Sequence, residues 1–260
     1  MIKTLLVRGM LVGLAAGVLA FAFAYIFGEP QVQHAINFED YLYRVHHQPP
    51  DPVLVSRGVQ RTIGLLTGTV FTGVALGGLF SLVFAWAYGR ISPLRPRLTS
   101  AVLALAAYVT VTIIPFTKYP ANPPTIGNPA TIGRRTALFV TMIAISILAA
   151  VAAARIRRGL LPRLGGWNAA IIAAGAFVVV IAIAELILPA VHETPPGFPA
   201  DVLYRFRLAS LGINATIWIT LGLGFGALAE RAMLRTAVTP GHPSPAHNQR
   251  VYPEPPPKRT

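Results

Sequence analysis

Pro115-Phe116-Thr117-Lys118-Tyr119-Pro120-Ala121-Asn122-Pro123-Pro124-Thr125-Ile126-Gly127 lies between two long apolar runs, and its reading decides the fold. Each of its prolines lacks an N–H and restricts the residue before it, so the stretch predicts a stiff turn where a helix ends. Freed carbonyls, the Lys118 ammonium and the Asn122 amide are then presented together at one end of the flanking helices. The plainest account is a rigid hairpin between two membrane helices.

Composition places the rest of the chain in the same setting. With 54% hydrophobic residues, 12% charged residues and a mean hydropathy of +0.59 over 260 residues, the chain is too apolar for a soluble domain of this size. The net charge of +13 comes from basic residues scattered singly near helix ends, which is a topology signal and gives no reason to expect nucleic acid. Without cysteine, the chain has no disulfides and no thiolate metal sites. A metal would be held by imidazole, carboxylate, amide, carbonyl or thioether groups, which suit cobalt, nickel, manganese or magnesium better than copper(I).

Working outward, apolar runs predict an all-α polytopic membrane protein with six spans, at about 5–28, 62–88, 98–115, 135–154, 167–189 and 208–229. These form one domain over 1–235, followed by a disordered, proline-rich tail over 236–260. The first span is longer than a signal-peptide core and lacks a small-residue cleavage site, so it is expected to stay. Gly9, Gly13 and Gly17 recur every four residues, and Gly73/Gly77 and Gly222/Gly226 repeat that step, which predicts close helix packing. The glycines at 222, 224 and 226 sit inside an apolar helix with no strand before them, so they are packing residues and not a phosphate loop.

Six spans put both termini on one side. Of 22 lysines and arginines, fourteen fall on the terminus side and eight on the other, which makes the termini cytoplasmic. Outward-running helices are expected to end at Pro30, Pro115 and Pro189, and inward-running ones to be entered through arginines. That pattern makes a threefold hairpin pseudo-repeat a candidate, although proline and arginine favour helix ends in any case.

Two groups of residues could carry chemistry. The loop 29–56 gathers Glu29, His34, Glu39, Asp40, His46, His47 and Asp51. On a short amphipathic helix, Glu39, Tyr43, His46 and His47 would fall near one another. Glu185 is the one acid within an apolar span. An ionisable group there costs about 2–4 kcal/mol unless it snorkels, pairs or lines a wet cavity. Glu29, Lys118, Asn122, Glu185, Arg135 and Arg207 are expected at one level, as an outward-opening funnel with the 118–124 loop as its rim. Lys118 would repel a cation unless it neutralised an acid.

The run Pro-x-x-Lys-Tyr-Pro-Ala-Asn-Pro-Pro-x-x-Gly at 115–127 resembles the signature loop of the CbtA family of cobalt transporter subunits. Gly28-Glu29-Pro30, Ser56-Arg57 with Gln60, Arg135, and Phe198-Pro199 followed by Phe206-Arg207 fall in the same family order, and the similarity covers roughly 5–235. The resemblance implies a subunit of a cobalt (or nickel) uptake transporter in the cytoplasmic membrane, with the ion as cargo and no permanently bound cofactor. It also implies a small single-span CbtB-like partner, surrounded by membrane lipid. Homo-oligomerisation stays open. Expected metal contacts are Glu29, Glu185, His34, Glu39, His46 and His47. The expected structural or gating residues are Lys118, Tyr119, Pro120, Asn122, Pro123, Pro124, Arg57, Arg135 and Arg207. A membrane enzyme acting on a lipid or carrier at the outer face, and a non-conducting assembly subunit, are the alternatives. The absence of a tight His/Asp/Glu catalytic spacing disfavours the enzyme.

Overall fold

The computed structural model describes residues 2–47, 49, 54–90, 94–124, 126–191 and 193–238, with 235–238 described as backbone only. Asp51, His192 and the tail from 239 onward lie outside the described residues. The described residues are predominantly helical, with no strands among them. Five helices are long and apolar enough to cross a membrane: α1 (Ile2–Val45), α2 (Arg57–Ala87), α3 (Pro96–Lys118), α4 (Ile132–Ile187) and α5 (Ala200–Leu234).

These helices outrun the expected spans. α1 does not stop at Gly28, and α3 does not stop at Pro115. In each, a wide π-type turn, Ala24–Gly28 or Tyr108–Ile113, ends two residues before the proline. A proline ring clashes with the carbonyl of residue i−4 in a regular helix, and a widened circuit relieves that clash while freeing carbonyls for other donors. Of the three prolines expected to end helices, only Pro189 does so, with Leu188 already extended. The threefold pattern therefore loses two of its three proline markers.

α4 breaks at Gly165, whose φ of 72° and ψ of 171° lie outside the helical region. Met142 and Ala149 from the first arm share one apolar cluster with Ile181 and Ala184 from the second. Met142 and Ile181 would stand about 60 Å apart on a straight helix at 1.5 Å per residue, so the two arms fold back on one another. Arg155, Arg157, Arg158 and Arg163, expected in a loop, are exposed on the last turns of the first arm.

The α1–α2 contact is built on the glycine steps. A Cβ added at Gly13 would fall on the carbonyl of Gly73, and one at Gly9 on the carbonyl of Gly77, so only glycine permits this approach. Beside this seam, Phe84 packs edge-on against Phe225 at 5.1 Å between ring centroids, and Phe80 does so at 5.6 Å. α3 meets α5 where Ser100 donates to the Gly222 carbonyl at 2.8 Å. Deeper along the same pair, the Trp218 indole donates to the Thr112 hydroxyl at 3.3 Å. Ser146 of α4 donates to the carbonyl of Thr110, within the wide turn of α3.

Polar ties collect at the two ends of the bundle. At one end Arg8 donates to the Leu228 carbonyl at 2.7 Å, Arg97 pairs with Glu230 at 2.5 Å, and Arg158 donates to the Arg90 carbonyl. The opposite end carries the proline-rich segment and the candidate site.

Candidate functional site

Beyond Lys118 the proline-rich segment leaves the helix and packs inward. Pro115 and Pro123 are fully buried, Tyr119 and Ile126 are buried, and the Ile126 N–H closes a turn on the Pro123 carbonyl at 3.0 Å. The Tyr119 hydroxyl donates to the Pro189 carbonyl at 2.9 Å, which ties this segment to the end of α4. Burial pushes the phenol above its ordinary value against the opposing charge of Arg134, so it remains a donor. The rigidity expected from the prolines is thus anchored by packing as well as by φ restriction.

A cleft of about 880 Å³ opens beside this segment. Its walls come from α3 and the segment itself (Thr112, Thr117, Lys118, Asn122), from α4 (Arg135, Thr136) and from α5 (Arg207, Ser210, Asn214). The Arg207 guanidinium donates to the Asn122 side-chain oxygen at 3.0 Å and to the Ala121 carbonyl at 3.3 Å. Lys118 donates to the main-chain carbonyl of Glu185 at 2.6 Å, while the Glu185 carboxylate accepts from Thr117 at 2.5 Å. Thr117 has one proton for two acceptors, since the Ile114 carbonyl lies 2.6 Å away; a charged acceptor makes the stronger bond.

Of the six groups expected at one level, Lys118, Asn122, Arg135 and Arg207 line this cleft. Glu185 reaches its wall through Thr117. Glu29 is not among the lining residues; it pairs with Arg57 at 2.5 Å, joining the end of the α1 span to the start of α2.

Sequence reasoning did not find the knot around Glu193. Its carboxylate accepts from the Thr131 hydroxyl at 2.6 Å and the Asn128 N–H at 3.1 Å, and lies 3.3 Å from Arg135 Nε. Arg135 Nε is within ion-pairing distance, but it is buried and not aligned for a hydrogen bond, so the pair is held by charge. The Thr131 hydroxyl, followed by the Asn128 N–H and the two guanidiniums of Arg135 and Arg134, holds the carboxyl below its ordinary value against the opposing effect of desolvation. Gly127 closes the knot with φ +115°, where a Cβ would meet Arg135 at 2.6 Å and Glu193 at 2.8 Å. That glycine, in the quoted segment, is the one local signal that something packs there.

The helix that continues α1 past Glu29 carries His34 and Glu39, and His46 and His47 follow its end at Val45. Glu39, Tyr43 and His46 line a small groove of about 210 Å³ with Phe38, Ile126 and Pro195, and Phe38 packs edge-on against Phe198 at 5.1 Å. His34 is exposed, and His47, at φ 54°, lies within hydrogen-bond reach of the Arg44 carbonyl at 3.1 Å. Among the described residues, no three His, Asp or Glu side chains are grouped closely enough to hold a metal ion.

Residues 2–230 match the family model described as probable cobalt transporter subunit (CbtA). No curated protein and no solved structure gives a match.

Proposed function

We propose that this chain, which belongs to the CbtA family of probable cobalt transporter subunits, works in the cytoplasmic membrane as the multi-pass subunit of a cobalt uptake system. The family match across 2–230 carries this reading. It points to a non-enzyme and, in the word subunit, to partners. A small single-span CbtB-like chain is the partner we propose.

The chain crosses the membrane six times, the two arms of α4 counting separately, with both termini in the cytoplasm. Three observations support this. α4 folds back at Gly165, Arg8, Arg97, Arg158 and Glu230 gather at one end of the bundle, and the fourteen-to-eight split of basic residues favours that end as the inner one. The ion is drawn to the other end by the Glu39 carboxylate and the imidazoles of His34, His46 and His47, acting as dispersed donors and not as one preformed site; Glu39 and His34 stand on the helix beyond the first span, and His46 and His47 follow its end. Oxygen and nitrogen donors of this kind suit a borderline divalent ion. Glu29 and Glu185 are the carboxylates on the spans at that end. Arg57 pairs with Glu29 and orients it, and Thr117 orients Glu185.

The test is uptake of radiolabelled cobalt and nickel into cells expressing this chain, with and without the small partner. Cobalt accumulation should depend on both, and accumulation indifferent to this chain would remove the reading.

A further inference from the structure

The cleft that the family reading would place on a cation path is lined by cations. Lys118, Arg135 and Arg207 come from three separate helices, and no aspartate or glutamate is among the lining residues. Arg135 is balanced by Glu193 at 3.3 Å. Lys118 and Arg207 are not balanced, because their hydrogen-bond acceptors are neutral: the Glu185 and Ala121 carbonyls and the Asn122 amide. Among the described residues, no carboxylate lies within ion-pairing distance of either.

Both cations have donors to spare. A lysine ammonium has three N–H donors and an arginine guanidinium five. One is used on Lys118 and two on Arg207. Thr112, Thr136 and Asn214 line the same space and add neutral hydrogen-bonding groups, whereas the single Ser210 proton goes to the Phe206 carbonyl. Two cations without a directly paired carboxylate, beside a partly enclosed cavity, favour a counter-charge in that cavity. A doubly or singly charged oxyanion supplies that charge and uses the spare donors. A bare divalent cation does neither.

We propose that this cleft binds a phosphate group, with Lys118 and Arg207 as its charged contacts and Arg135, held by Glu193, as the fixed back wall. The phosphate comes either from an anionic lipid headgroup or from a soluble phosphate. The inference rests on the cleft geometry and on the chain lying in a membrane, and is independent of which ion is transported.

The experiment uses the full chain purified in a neutral detergent, without metal. Native mass spectrometry reads retention of phosphatidylglycerol against phosphatidylcholine, and thermal unfolding reads the effect of inorganic phosphate against chloride at equal ionic strength. The expected result is a preference of about tenfold or more for the phosphatidylglycerol adduct, or a phosphate-specific rise in Tm, lost in Arg207→Gln and weakened in Lys118→Gln. Lys118→Gln keeps an N–H for the Glu185 carbonyl, so it reports on charge even where Arg207→Gln does not fold. Arg158→Gln, at the other end of the bundle, should match the wild type. Lipid retention alone assigns the headgroup, and the Tm rise alone assigns a soluble phosphate. Equal retention of both lipids together with no phosphate effect in the wild type overturns the proposal. So does a phosphate or phosphatidylglycerol preference that survives in Lys118→Gln and in folded Arg207→Gln. Because no cobalt is present, these outcomes leave the uptake reading standing or falling on its own test.

Discussion

Lys118 and Glu185 are neighbours, but the ammonium donates to the Glu185 main-chain carbonyl at 2.6 Å and the carboxylate is left to Thr117 at 2.5 Å. The lysine thereby caps the end of α4, where the last carbonyls of a helix lack partners. The carboxylate is bonded by a neutral hydroxyl and not by the neighbouring ammonium.

That arrangement makes Glu185→Gln an informative change. Glutamine keeps an oxygen to accept from Thr117, so folded protein should be retained to within about 1 kcal/mol. If the charge serves the ion path, cobalt uptake at matched membrane abundance should fall at least about tenfold, equivalent to about 1.4 kcal/mol. Uptake equal to the wild type would leave Glu185 as a helix-end residue only.

Replacing Gly13 or Gly73 with leucine tests the α1–α2 seam. A side chain at either position meets the opposing backbone and not a movable side chain, so the helices must separate. The expected cost is about 3 kcal/mol or more for each, read as loss of folded protein in membranes. Gly68→Leu is the matched control, since a Cβ there meets nothing within 4 Å. Equal yields for all three would deny the seam its role.

The seam was legible because four-residue glycine spacing maps directly onto one helical face. The proline segment was legible as rigid, and the approach of Arg207 to Asn122 followed from placing both beside it. Hydropathy could not show that α1 and α3 run past Pro30 and Pro115, since a wide turn changes the hydrogen-bond circuit without changing residue type. It also could not place the 155–163 arginines on a helix, because arginine is a good helix former and its long stem lets an exposed helix end be as basic as a loop. The Glu29–Arg57 and Glu193–Arg135 pairs join residues far apart in the chain, and their partners were open until the helices were placed. The sequence groups Glu29 with Lys118 and Glu185, whereas it pairs with Arg57 and is not among the residues that line their cleft.

Glu193 should make the segment 126–131 sensitive to acid. Its folded carboxyl is held below the ordinary value of 4.5, so the tie to Thr131 and Asn128 is fully present above that pH and is lost as pH falls through the depressed value. Hydrogen exchange at the Asn128 amide should therefore quicken on acidification below 4.5, relative to the intrinsic rate. In Glu193→Gln, which stays neutral at every pH, exchange should be faster near neutrality and should lose this acid step. An acid step that persists in Glu193→Gln would assign it to another group.

Six crossings make a prediction that five do not. If the two arms of α4 each span the bilayer, Arg155 and Ala130 face opposite sides, because the first arm separates them, and the second arm returns the chain to the side of Ala130. Since the chain has no cysteine, single replacements report without background. His47→Cys, Ala130→Cys and Asp201→Cys, all at exposed positions, should react with a membrane-impermeant thiol reagent added to intact cells. Arg155→Cys should react only after the membrane is opened. An Asp201 label on the side of Arg155 would mean that the second arm does not cross. Labelling of Arg155→Cys from outside, with the other three silent, would keep the crossings and invert the chain. The positive-inside rule argues against that inversion, since Arg155, Arg157, Arg158 and Arg163 would then all sit outside.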